Sequence, residues 1–175
     1  MTKFRTWAVS AGAMLLAAVP FAAEAQITVG GDNVARLDVG AGAYDIDQDK
    51  RTGVGRLEYE FGAEFFYLRP LIGTEVNVEG SNFTYGGFST DIFFDDHLVL
   101  TPNAAVGFYA RGNRDSKNLG SYIEFRTGAE FDYRFDDQTR LGLSFHHISN
   151  AGLTKRNPGE EELLVNYSIP LDGLP

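Results

Sequence analysis

The 175 residues contain no cysteine. That absence removes a disulfide framework, a thiol nucleophile, a Cys-ligated zinc and a lipid-modified cysteine anchor from consideration. Positive charge is also scarce: 15 Lys and Arg face 24 Asp and Glu, for a formal net charge of −9. Nucleic-acid surfaces need clustered basic residues, so this balance argues against one. Beyond the first 25 residues no apolar run reaches the ~20 residues of a membrane-spanning helix. A membrane-spanning reading is thereby confined to a closed β-barrel, because every backbone polar group in lipid must be paired internally.

What is present begins with an address. Lys3 and Arg5 precede a run of apolar and small residues from Val9 to Ala23, too short to span a membrane. Ala23-Glu24-Ala25 fits a small-x-small cleavage site, so residues 1–25 are expected to be a cleaved signal peptide. Residues 26–175 are then one domain. Taking away Lys3, Arg5 and Glu24 leaves 13 basic and 23 acidic side chains in it.

Two segments alternate strictly. Leu57, Tyr59, Phe61, Ala63, Phe65 and Tyr67 oppose Glu58, Glu60, Gly62 and Glu64. Ile123, Phe125, Thr127, Ala129, Phe131 and Tyr133 oppose Glu124, Arg126, Gly128, Glu130, Asp132 and Arg134. Period-2 alternation is the mark of a strand with two unlike faces. Both segments exceed the ~9–11 residues that a tilted strand needs to cross a bilayer. Similar runs place eight strands near 34–44, 56–68, 71–79, 83–95, 98–110, 121–134, 139–148 and 162–171. Tight turns at Arg69-Pro70, Asp95-Asp96 and Asp136-Asp137 alternate with long polar loops at 45–55, 111–120 and 149–161. The fold expected is therefore all-β, an eight-stranded antiparallel transmembrane barrel.

Several details follow from that reading. Glu58, Glu60, Glu64, Glu75, Asp91, Glu124, Arg126, Glu130, Asp132, Arg134 and Arg140 face inward, as a packed charged network rather than a channel. Tyr44, Tyr67, Phe94, Tyr109, Tyr133 and Tyr167 stand at strand ends as candidates for interfacial girdles. Gly86-Gly87 suggests a bulge. A soluble lipocalin-like barrel is the competing architecture, and it predicts the reverse arrangement, apolar inside and charged outside.

The chemistry concentrates at His147-Ile148-Ser149-Asn150-Ala151-Gly152, followed by Glu161. His147, Ser149 and Glu161 share the odd phase of Leu141, Leu143 and Phe145 before them and of Leu163, Val165 and Tyr167 after. In this register a nucleophile, a base and a carboxylate lie on the lipid-facing side near one end of the barrel. A serine hydroxyl needs a base to take its proton. A carboxylate fixes the histidine tautomer and stabilises its cation. Glu160 and Glu162 compete with Glu161 for that role, and only Glu161 keeps the phase. His146 points inward, and His97 lies solvated at a turn.

His147-Ile148-Ser149-Asn150-Ala151-Gly152-Leu153, Asn157-x-Gly159-x-Glu161 and Tyr167-Ser168-Ile169-Pro170-Leu171 together resemble the lipid A 3-O-deacylase (PagL) family, with the close match over roughly residues 141–171. The resemblance implies an eight-stranded outer-membrane barrel that removes the ester-linked acyl chain at position 3 of lipid A. It implies Ser149 as nucleophile, His147 as base and Glu161 as orienting acid, with an oxyanion role for Asn150 and Gly152. The partners it implies are lipopolysaccharide and outer-membrane lipids. A homodimer is left open. No metal or organic cofactor is called for, since the triad supplies nucleophile and proton relay. The chain departs from the usual aromatic finish of outer-membrane barrels by running through Asp172-Gly173-Leu174 to Pro175.

Two further features bear on ligands. Asp45-x-Asp47-x-Asp49 resembles the start of a calcium loop, but Lys50 and Arg56 occupy the positions that need Gly and a carboxylate. Lys50, Arg51, Arg111, Arg114, Lys117, Lys155 and Arg156 all fall in long loops, and Lys155 and Arg156 lie in the same loop as Ser149. Those two are the candidates for holding lipid phosphates. The rival functions are a non-catalytic barrel that stabilises the membrane or displays adhesive loops, and a phospholipase or general esterase with the same triad.

Overall fold

Residues 27–171 are described in a computed structural model of the chain. The expected signal peptide and the Asp172–Pro175 tail lie outside the described residues. Alternating sequence has produced strands, and the strands close on themselves. The chain forms β1 (Thr28–Val29), β2 (Arg36–Tyr44), β3 (Thr52–Glu60), β4 (Arg69–Asn77), β5 (Asn82–Ser89), β6 (Ile92–Phe93), β7 (Leu98–Ala110), β8 (Ile123–Arg134), β9 (Arg140–Ser149) and β10 (Glu160–Pro170). Eight of them make the ring: β2, β3, β4, β5, β7, β8, β9 and β10 each pair antiparallel with the next, and β10 pairs back onto β2. Closure removes free edges, which is what a sheet in lipid requires.

β6 continues β5 along the same neighbour. Ser89 pairs with Asn103 and Ile92 with Leu100, in one unbroken register. The interruption falls opposite Pro102, which accepts from Thr90 N–H but has no N–H to return. Gly86 and Gly87 pair without a slip, so the expected bulge is absent. Gly87 serves close approach instead: a Cβ there would lie 2.6 Å from Ala105 Cα.

The barrel is inverted relative to a soluble one. Arg126, Glu124, Glu58 and Asp132 are buried inside, whereas Leu143 (53% exposed) and Phe131 (51%) stand on the outer wall. The lipocalin alternative fails on this point, since a barrel in water gains by burying such apolar groups. Inside, Arg126 bonds Glu58 at 2.5 Å and Glu75 at 2.8 Å. Arg56 bonds Asp38 at 2.7 Å and Glu130 at 2.6 Å. Arg140 and Arg69 converge on Asp91 at 2.8 and 3.1 Å. The charged lumen expected from the sequence is thus present and cross-linked. Arg134 is a partial exception, half-buried rather than enclosed.

Three strand-end expectations are corrected. Residues 61–68 do not extend β3; they make a tight turn in which Phe65 and Leu68 exchange backbone bonds of 2.9 and 3.0 Å. Phe66 and Tyr67 both take positive φ, 52° and 67°, as a two-residue hairpin turn demands. Tyr44 and Tyr109 are not girdle residues: both are buried in the lumen, and Tyr109 donates to Lys117 O at 2.7 Å. His97 is not simply solvated, since its Nδ1 bonds Arg134 O at 3.0 Å and its ring stacks on Tyr133. At the same short-turn end, the backbone N–H groups of His97 and Leu98 donate to Asp95 and hold its carboxyl below the usual range.

Candidate active site

β9 carries the candidate nucleophile and base, and its two neighbours frame them. Across β10, His147 pairs directly with Glu161; across β8, it pairs with Thr127, and Ser149 with Phe125. Opposite residues of an antiparallel pair have their Cβ atoms ~4.5–5.5 Å apart. The register alone therefore selects Glu161 over Glu160 and Glu162, both of which are buried inside the lumen. His147 Nδ1 lies 2.8 Å from Glu161 Oε1, with the two side chains 43% and 24% exposed. With Nδ1–H donated to the carboxylate, Nε2 keeps the lone pair.

Ser149 follows one pleat later, half-buried on the same face, ~6.6–7 Å along the strand. Its hydroxyl and His147 Nε2 make no bond to each other here. Below them the outer wall continues through Phe145 (47% exposed) and Leu163 (43%), themselves a cross-strand pair. His146, the other histidine of the strand, is a lumen residue: Nε2 accepts from Asn103 at 3.2 Å and Nδ1 faces Glu162 at 3.3 Å.

The loop after Ser149 is organised by Asn150, which is fully buried. Its amide donates to Leu119 O at 2.9 Å, Arg156 O at 2.8 Å and Thr154 Oγ1 at 3.2 Å. Its carbonyl oxygen accepts from Gly152 N–H at 3.1 Å, and its backbone N–H donates to Asn157 Oδ1 at 3.0 Å. An amide has two N–H bonds, so the side chain is fully used in tying the 150–159 loop to the 119–120 segment. The expected Asn150 side-chain donor to an oxyanion is thus already spent on the loop. Ala151 and Gly152 follow with positive φ of 51° and 81°.

One residue escaped assignment in the sequence. Gly159 lies under the His147 imidazole at φ +65°, and a Cβ built there would fall 2.8 Å from Cε1 and 3.5 Å from Nε2. Its only signal was its place in Asn157-x-Gly159-x-Glu161. Of the two basic candidates, Arg156 donates Nε–H to Asn118 O at 3.0 Å, while Lys155 is exposed and makes no bond.

A closed eight-stranded barrel with an apolar outer wall defines a class, a transmembrane β-barrel, and this one carries a hydrogen-bonded His–Glu pair on its outer wall. The model of the lipid A 3-O-deacylase (PagL) family matches residues 40–170. The chain belongs to that family. It is also similar to the crystal structure of the outer membrane enzyme PagL, with a TM-score of 0.61 and 20% identity over 78% of this chain and 99% of that one. A de novo designed transmembrane β-barrel matches with a TM-score of 0.57 and 15% identity over 82% of this chain and 100% of the design. These two likenesses support the fold. No curated protein matches the chain by sequence.

Proposed function

We propose that this protein is an outer-membrane serine esterase that hydrolyses the 3-position acyl ester of lipid A. The observation that carries the reading is the 2.8 Å His147–Glu161 bond on the lipid-facing wall, with Ser149 one pleat beyond. A catalytic set turned toward lipid suits a substrate whose ester lies at the membrane interface. The long-loop end, where the site lies, then faces outward and the tight turns face the periplasm.

In this mechanism Ser149 Oγ attacks the ester carbonyl carbon as its proton passes to His147 Nε2. Glu161 stabilises the imidazolium through Nδ1–H. Collapse of the tetrahedral intermediate breaks the bond to the sugar 3-oxygen, which takes the proton from His147. Water then hydrolyses the acyl-serine by the same relay and releases a 3-hydroxy fatty acid. We assign Asn150 to positioning the loop through its bond from Gly152 N–H, and the oxyanion to the Ala151 backbone N–H.

The test is mass spectrometry of lipid A incubated with the refolded barrel beside a Ser149→Ala control. Loss of one 3-hydroxyacyl chain with the wild-type protein alone is expected. An unchanged spectrum from verified folded barrel would return the protein to a structural role or to another ester.

A further inference from the structure

At the long-loop end of the barrel the three long loops border an open cavity of about 460 Å³. Its wall includes Lys50 from the 45–55 loop, Arg111 and Lys117 from the 111–120 loop, and Arg156 from the 149–161 loop, with Asp45 and Asp49 as the acids. Lys117 is already neutralised, since its ammonium is bonded to the buried Asp45 carboxylate. Asp49 is exposed at the rim. That leaves Lys50, Arg111 and Arg156 lining the space without a carboxylate partner.

The two arginines are held ready. Arg111 donates Nε–H to Ser116 O at 3.0 Å and an Nη2 proton to Arg114 O at 3.0 Å. Arg156 donates Nε–H to Asn118 O. Each is anchored by neutral carbonyls and keeps guanidinium N–H groups free, the arrangement that suits a phosphate's oxygens. The cavity is joined to the candidate catalytic site through one loop. Arg156 and Pro158 line it, Gly159 touches His147, and Asn150 clamps Arg156 O.

From this geometry we infer a binding site for a phosphate monoester of the substrate's sugar head group, formed by Lys50, Arg111 and Arg156. It rests on the lipid A reading and deepens it: the phosphate seated in the loops would place the acylated sugar against the wall that carries Ser149. Lys155, exposed and outside the cavity lining, has no part in it.

The experiment measures binding rather than turnover. Ser149→Ala barrel in detergent is titrated with bisphosphorylated lipid A and with the same lipid A after phosphatase treatment. About tenfold or greater preference for the phosphorylated form is expected, as for a charged hydrogen bond lost. Adding Arg111→Gln and Arg156→Gln should erase the preference. Lys50→Gln should reduce it, and because the Lys50 ammonium makes no bond in the fold, that loss cannot come from unfolding. Inorganic phosphate at millimolar concentration should compete with the phosphorylated lipid alone. Equal affinity for the two lipids would overturn the site, even if the wild type deacylates both. A preference that survives all three substitutions would overturn it as well. A preference erased by the substitutions, beside a wild-type protein that cleaves neither lipid, would keep the site and remove the deacylase reading.

Discussion

At His147 the imidazole is held from two sides, by a carboxylate at Nδ1 and by the bare Cα of Gly159 beneath Cε1. Each support makes its own prediction. Glu161→Gln keeps the shape but turns the acceptor of Nδ1–H into an ambiguous partner that admits the wrong tautomer. Turnover should fall by about 10⁴-fold, with little change in barrel stability. Gly159→Ala adds a methyl where 2.8 Å separates it from the ring and forces an L-residue to φ +65°. The backbone strain should cost about 1 kcal/mol. A displacement of the imidazole by a fraction of an ångström should cost about 10²-fold in kcat. Steady-state kinetics on lipid A, beside gel mobility of the folded and heated forms, separates the two effects. Equal activity for Gly159→Ala and wild type would mean that the ring does not rely on this contact. The pairing of Glu161 with His147 was legible in the sequence because strand phase survives a loop when the register is set by direct pairing. Gly159 had no such signal, since a glycine's role depends on what its missing Cβ would strike.

The strands themselves were readable because period-2 alternation is local, and their inward and outward sets agreed with the burial of Glu58, Arg126 and Asp132 against Leu57, Phe131 and Tyr133. Errors arose where alternation ran past the strand. Phe61 to Tyr67 kept the apolar-polar rhythm, yet the chain turned at Phe66-Tyr67, because an aromatic at positive φ leaves no mark in a hydrophobicity pattern. Arg36 and Arg56 keep the phase of Asp38 and Glu58, so the same alternation carried their inward placement, whereas Arg69 fell in an expected turn and had no phase to read. The loop at 150–159 was harder still. Its organiser, Asn150, bonds to Leu119 and Arg156, one of them 31 residues distant. Asn150→Ala leaves the buried Leu119 carbonyl without this donor, at about 1–3 kcal/mol for the unsatisfied group, while Arg156 O keeps its bond from Thr154. The loss should be local. Protease cleavage within residues 151–158 should rise while the barrel keeps its folded gel mobility, and deacylation should fall with it. Unchanged protease resistance would remove Asn150 from the role of clamp.

The whole molecule sets lipid outside and charge inside, and this inversion gives opposite expectations for neighbouring sites. Leu143 pairs with Phe131 and Val165 on the outer wall and is 53% exposed. In water, Leu143→Arg would be an ordinary surface change, worth within about 0.5 kcal/mol. In a bilayer it should destabilise the barrel by about 2–4 kcal/mol near the midplane, because no partner solvates the guanidinium there. Arg126 lies on the opposite face, fully buried between Glu58 and Glu75 and against the Tyr85 ring at 4.0 Å. Arg126→Ala leaves two carboxylates without their cation, which typically costs about 3–5 kcal/mol. Urea titration of the refolded variants in phospholipid vesicles, read by gel mobility, measures both. The comparison that decides is Leu143→Arg in vesicles against the same variant in detergent micelles. A micelle deforms around a charge more readily than a bilayer, so the penalty should shrink there while the Arg126→Ala penalty stays. A Leu143→Arg barrel as stable in vesicles as wild type would place that wall in water and remove the lipid-facing setting on which the Ser149 site depends.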